Sequence, residues 1–372
     1  MQSAIDNIFK INLGIKKTER VLIFTDRIRD DEDITEDLRT RRIEMSKVAE
    51  RIAEAGKNFA EVVFVDYPAA KDNGAEPPEV IWVAALGAAT VEKLKENGGF
   101  ERILAKETTP DDIKMAEETV TDAKGSTVEA IIGLANFSTS HTKFRDLVTR
   151  CAGVRYASMP SFEASMLDGV MTADWPALAE RTIKLAKVLG KADNIHITTP
   201  SGTDIRFSIK GRPVKPDTGI LTEPGSFSNL PAGEAFCAPL EGTANGQLIL
   251  AWSPTRELTA PVTVTVKDGR AVSVTGDEPY AAQLQATIDN NPLCGNIAEL
   301  GVGTNDKASR PDSVLESEKI LGTIHIALGD NSTFGGKVRV PFHQDFVFYN
   351  PTMIAETDGE ETTLLKEGNL LL

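Results

Sequence analysis

Short apolar, β-branched runs alternate with longer stretches of helical periodicity through the first half of the chain. Residues 21–25, VLIFT, are followed by Asp26, and residues 43–55, IEMSKVAERIAEA, repeat apolar positions at helical spacing and stop at Gly56. That order predicts a strand and then a helix. The alternation recurs with strands at 60–67 (AEVVFVDY), 130–136 (AIIGLAN) and 154–158 (VRYAS), and helices at 79–97, 111–123, 142–152 and 175–190. A doubly wound, mainly parallel sheet is the economical reading.

From residue 194 the period shortens. NIHITTP and DIRFSIKG are joined at SGT, and GQLILAW, APVTVTVKDG and AVSVTG follow, as suits hairpins in an antiparallel or mixed sheet. The expected organisation is therefore an α/β domain over 1–190 and an α+β domain over 191–372, which a chain of 372 residues is long enough to support. GDNSTFGG (329–336) and EPGSFSNLPAG (223–233) read as loops.

Composition narrows the function classes. Hydrophobic residues at 41% and charged residues at 26% are globular values, so a packed core is expected rather than disorder. A net charge of -15 repels phosphate backbones, which argues against nucleic acid as a partner. The opening segment MQSAIDNIFKINLGIKK lacks the order of a signal peptide and no apolar run is long enough to span a bilayer, so a soluble cytoplasmic protein is the expectation. Three cysteines, Cys151, Cys237 and Cys294, at wide spacing read as buried small hydrophobes.

Candidate chemistry gathers late in the chain. In VPFHQDFVF a strand would project His343 and Asp345 to one side, able to hold one ion; a hydrogen-bonded core pair is the competing reading. His325 lies in the apolar run GTIHIALG, where a satisfied core histidine is the ordinary outcome. Glu234 and Glu299 sit in otherwise apolar stretches, NLPAGEAFCAP and NIAELGVG, without a nearby lysine or arginine, so each calls for a positive partner. Together the five offer only nitrogen and oxygen ligands, a set that suits Zn, Co, Mn, Mg or Fe(II) in an open site. His141, in a Ser/Thr loop ahead of a helix, reads as a capping or loop-bonding residue or as a substrate contact at the sheet edge; His196 reads as an ordinary strand residue.

With these residues in place, STSHTKFRDLVTRCAGVRYASMP, NLPAGEAFCAPLEG, IAELGVGTN, LGTIHIALGDN and FHQDF resemble landmark segments of the aminopeptidase T and aminopeptidase S group of metallo-aminopeptidases. The resemblance implies two divalent ions held by Glu234, Glu299, His325, His343 and Asp345, with Glu299 bridging them as the catalytic carboxylate. It also implies a homodimer enclosing the site, and a peptide as substrate. One departure stands at Ser332, seven residues beyond His325, where that group carries its catalytic tyrosine. The same superfamily includes Fe(II)-dependent ring-cleaving dioxygenases acting on dihydroxypyridine, for which His325, His343 and Asp345 make the two-histidine, one-carboxylate set. The leading expectation is a two-metal aminopeptidase; the alternatives are the dioxygenase and a metal-stabilised binding protein without turnover.

Overall fold

The computed structural model describes residues 1–254 and 256–372 and divides them into two compact units. One comprises Met1–Thr172 and Gly219–Pro231, the other Ala173–Thr218 and Ala232–Leu372. The division falls at 172/173 rather than at 190, because the helix Trp175–Leu189 sends Leu185, Ala186 and Leu189 into the hydrophobic core of the second unit.

Strands are numbered along the chain. The first unit holds a wholly parallel sheet of β1 (Arg20–Arg27), β2 (Glu61–Pro68), β3 (Ala130–Leu134), β4 (Arg155–Ser158) and β8 (Phe227–Asn229), in the order β2-β1-β3-β4-β8. The four strands expected in this half are all present. β8 falls in a stretch read as a loop, since three residues are too few to show a period. The helix expected over 79–97 is broken at Gly87, whose φ of +84° lies outside the range helical residues adopt, into Glu79–Leu86 and Ala88–Lys95. Thr109 and Asp112 form a capping box at the start of the helix Pro110–Asp122, which fixes that boundary by local chemistry.

The second unit contains two sheets. The larger runs β12-β11-β10-β6-β5-β16-β17-β18, from β5 (Asn194–Thr198), β6 (Asp204–Ser208), β10 (Asn245–Trp252), β11 (Glu257–Lys267), β12 (Arg270–Thr275), β16 (Thr352–Thr357), β17 (Glu360–Lys366) and β18 (Asn369–Leu370). The smaller runs β15-β14-β13-β9-β7, from β7 (Lys215–Asp217), β9 (Glu234–Cys237), β13 (Ile297–Gly303), β14 (Ile324–Gly329) and β15 (His343–Phe348), antiparallel throughout. A single core unites them: Ile195, Ile205, Leu248 and Val264 of the larger sheet lie in one cluster with Ala235, Leu300, Ile326 and Phe346 of the smaller. The fold class is as read from the sequence, an α/β unit with a parallel sheet and an α+β unit with antiparallel sheets. Among the described residues, no helix is long and apolar enough to cross a membrane.

Candidate metal centre

Alternation along the smaller sheet sends one face into the core and leaves the other for chemistry. Glu299 is paired with Ala327 and Ala327 with Asp345; Gly301 is paired with His325, Gly329 with His343, and Gly303 with Glu234. All five sequence-nominated residues therefore emerge on the same face, opposite the side occupied by Leu300, Val302, Ile326 and Phe346. A shift of register between Ile297 and Glu299 makes this arrangement possible. In a regular strand those two residues would share a face; the bulge lets Ile297 stay in the core while Glu299 turns to the site.

Two glycines in ELGVG leave room for what crosses this face. A Cβ on Gly301 would lie 2.0 Å from the His325 imidazole, so the ring rests directly on the backbone of β13. A Cβ on Gly303 would lie 2.0 Å from the carbonyl oxygen of Ile320, whose segment runs beside the end of β13 through a bridge between Asn305 and Ile320.

The side chains form two overlapping triads, Glu234–Glu299–His325 and Glu299–His343–Asp345, in each of which the ligand atoms lie within 4.8 Å of one another. His325 Nε2 is 3.6 Å from Glu299 Oε1, and His343 Nε2 is 3.4 Å from Glu299 Oε2 and from Asp345 Oδ2. His343 Nδ1 lies 2.7 Å from the carbonyl oxygen of Asp330, which can only accept, so Nδ1 carries a proton and Nε2 faces the carboxylates. That is how a ligating histidine is oriented. His325 is buried, whereas His343 keeps 32% of its side chain exposed at the edge of the cluster.

Charge and orphaned atoms fit a cation at this place. Glu234 Oε2, His325 Nδ1 and Asp345 Oδ1 are buried without an aligned hydrogen bond, although Glu234 Oε2 lies 3.1 Å from His325 Nε2. Burial pulls the histidine pKa values down, but the adjoining carboxylates, Glu234 beside His325 and Asp345 beside His343, outweigh it and hold both well above the usual histidine range. Burial raises Glu299, yet the two imidazoles bring it below the usual glutamate range. The cluster thus attracts positive charge in whatever form is offered.

One positive group is already there, and sequence reasoning missed it. Lys319 is 1% exposed, with Nζ 2.6 Å from Glu234 Oε1 and 3.1 Å from Glu318 Oε2. Glu234 calls for a positive partner that its own stretch lacks, and the structure supplies Lys319, from a segment 85 residues away that the Asn305–Ile320 bridge holds beside β13. In VLESEKILG the lysine looks like part of a solvated charged face, and nothing local marks it as buried.

A cavity of about 360 Å³ opens beside the cluster, lined by Trp252, Pro254, Pro311 and Phe342 together with Glu318, His343 and Asp345. Ser332, at the position where the aminopeptidase group carries its tyrosine, is exposed, and its hydroxyl lies 2.9 Å from Asp330 Oδ1 within its own turn. The aromatic ring of that loop that meets the site is Phe334, edge-on to His343 at 5.9 Å. It has no hydroxyl to donate.

The remaining candidates are not members of the two triads. Helix Lys143–Arg150 is capped by Thr142, whose side chain accepts from Arg145 N, and the exposed His141 precedes it. His196 Nε2 lies 2.8 Å from Asp204 Oδ1 on the neighbouring strand. Cys237 is on the core face of β9, opposite Glu234, and burial pushes its thiol up to about 12; all three cysteines are free.

Sheet, register and donor set together describe an α/β protein with a cluster of nitrogen and oxygen donors that could hold a metal ion. Residues 163–371 match the family described as NicX, 2,5-dihydroxypyridine 5,6-dioxygenase, and the chain belongs to that family. The 2,5-dihydroxypyridine 5,6-dioxygenase of Pseudomonas putida is 23% identical over 189 residues, which are 46% of this chain; the match spans about half, 53%, of that relative's length. The solved structure of the dioxygenase from Pseudomonas putida KT2440 superposes with a TM-score of 0.68 at 17% identity, covering 100% of this chain and 96% of that one. Wild-type AmpT from Thermus thermophilus superposes at 0.56 and 13% identity, covering 100% and 98%, and so shares the fold. The family overturns the aminopeptidase reading, and with it the terms hydrolase and protease: the family is one of dioxygenases, which are oxidoreductases. The physical reason for the misreading is that the fold is common to both structures, and a nitrogen-and-oxygen donor set does not by itself choose a reaction. A metal cofactor is implied by this family, and the cluster supplies residues able to hold one.

Proposed function

We propose that this chain is an Fe(II)-dependent dioxygenase that opens a dihydroxylated heteroaromatic ring of the dihydroxypyridine type. The observation that carries the reading is the family match, which spans every residue of the cluster. His325, His343 and Asp345 would hold the ion, with Glu299 beside them, the donor set of non-haem ferrous sites with open positions. The chemistry that bound iron supplies is one-electron exchange, which allows a closed-shell ring to combine with triplet dioxygen. One ion per chain is favoured over two, because Lys319 already supplies a positive charge to Glu234.

The chain's own residues orient the reactants. His343 is held by its Nδ1–H bond to the Asp330 carbonyl, which keeps Nε2 directed at the cluster. Trp252, Pro254, Pro311 and Phe342 give the cavity the apolar walls that suit a flat ring, and its volume lies in the range of small-molecule sites, roughly 300–1,000 Å³. The test is oxygen uptake by protein reconstituted anaerobically with Fe(II) and supplied with 2,5-dihydroxypyridine. One O2 consumed per ring, with loss of the ring's ultraviolet absorption, is the expected result. Iron-loaded protein that consumes no oxygen with dihydroxypyridines or dihydroxybenzenes would reject the reading.

A further inference from the structure

The cavity wall contains one carboxylate that the five-residue cluster does not use. Glu318 follows the short helix Val314–Ser317 and lines the cavity together with His343 and Asp345. Its side chain keeps 16% exposure, enough to be reached from the cavity, while Lys319 Nζ holds Oε2 at 3.1 Å. We propose that Glu318 is the proton acceptor for the substrate's ring hydroxyl, a catalytic role that rests on the dioxygenase reading above.

Three observations support the assignment. Its position on the cavity wall places a carboxylate beside His343 and Asp345 yet outside the two triads. The carboxylate is anchored: Lys319 also binds Glu234 at 2.6 Å, so the acceptor is tied to the same framework as the cluster. Its charged surroundings are of both signs, with Lys319 from its own segment, Asp345 from β15, His325 from β14 and Glu234 from β9. Burial first, then Asp345 and Glu234, push the Glu318 carboxyl up to about 7, against the pull of Lys319 and His325, which is the range an acid-base group needs near neutrality.

The step is balanced within the pair. The ring O–H bond breaks, an O–H bond forms on a carboxylate oxygen of Glu318, and the ring oxygen keeps the electron pair as an anion. A cation beside that oxygen lowers its pKa, so the proton moves to a carboxylate in place of bulk water. No outside acid, base or reductant is required.

The experiment is anaerobic binding of 2,5-dihydroxypyridine to the Fe(II)-loaded protein at stepped pH through neutrality, where the absorption spectrum reports whether the bound ring is the anion, with kcat/KM measured over the same range. In wild type the ring should bind as the anion once Glu318 is ionised, because the carboxylate takes the ring proton and then passes it to solvent. In Glu318→Gln the anion spectrum should be lost or moved to higher pH, and kcat/KM should fall by roughly 10²–10⁴-fold with loss of the acid limb near neutrality. Glu318→Asp should retain the wild-type anion spectrum. A Glu318→Gln protein with unchanged spectrum and pH profile would overturn the assignment while wild-type oxygen uptake left the dioxygenase reading intact. A wild-type protein that binds no dihydroxypyridine would bring down both.

Discussion

Replacing Lys319 by methionine tests the electrostatic account of the site. The substitution keeps the length of the side chain and removes the ammonium, so the contacts of 2.6 Å to Glu234 and 3.1 Å to Glu318 are lost with little change in volume. Four carboxylates, Glu234, Glu299, Glu318 and Asp345, then share their surroundings with two imidazoles and no lysine. Removing one partner of a buried ion pair costs about 3–5 kcal/mol, because the remaining charge stays buried. For a folded body of roughly 150–250 residues each kcal/mol shifts the melting temperature by about 2–4 °C, so Lys319→Met should melt roughly 6–20 °C lower in chelator. Adding Mn(II) should narrow the gap, since a cation bound to the folded state restores the missing positive charge. Thermal unfolding followed by circular dichroism, with chelator and with Mn(II), is the assay. A variant that melts within about 2 °C of wild type in chelator would refute the claim that Lys319 balances the carboxylates.

Gly301→Ala places a Cβ 2.0 Å from the His325 ring and should displace it, lowering iron content and costing about 1–3 kcal/mol of stability; iron retained at the wild-type level after desalting would count against the packing argument. Glu278 is held down to about 2 by Arg256 first and then by the Thr259 side chain and backbone. Its folded pKa lies below the unfolded value of about 4.3, so its stabilisation is complete above that pH and is lost as the pH falls toward 2. Glu278→Gln should therefore show a shallower loss of stability across that window in chemical denaturation at stepped pH, and an unchanged acid limb would contradict the assignment.

The sequence made the local elements and the donor types legible. Apolar runs at strand period and helical spacing located most elements of the first unit, because burial of one face imposes the period directly on the chain. Glu234 and Glu299 stood out because a carboxylate in an apolar stretch must find a positive partner. His343 and Asp345 stood out because two residues apart on a strand is one face. The break at Gly87 and the three-residue β8 left too little pattern to read.

What tertiary structure alone decided is which charges meet. Lys319 and Glu318 lie 85 and 84 residues from Glu234, and only the bridge between Asn305 and Ile320 brings their segment to the cluster. The bulge before Glu299 is equally silent in sequence, since one residue inserted into a ladder leaves composition and period almost unchanged while it turns the side chain from core to site. Aminopeptidase and dioxygenase could not be separated by the ligand residues, because a cation asks the same of its donors in both. The family match separates them, and the surroundings of the ligands were no easier to read from sequence: Phe334 stands edge-on to His343, and Lys319 reaches Glu234. Such surroundings are assembled from distant segments by packing, and packing is a property of the folded chain.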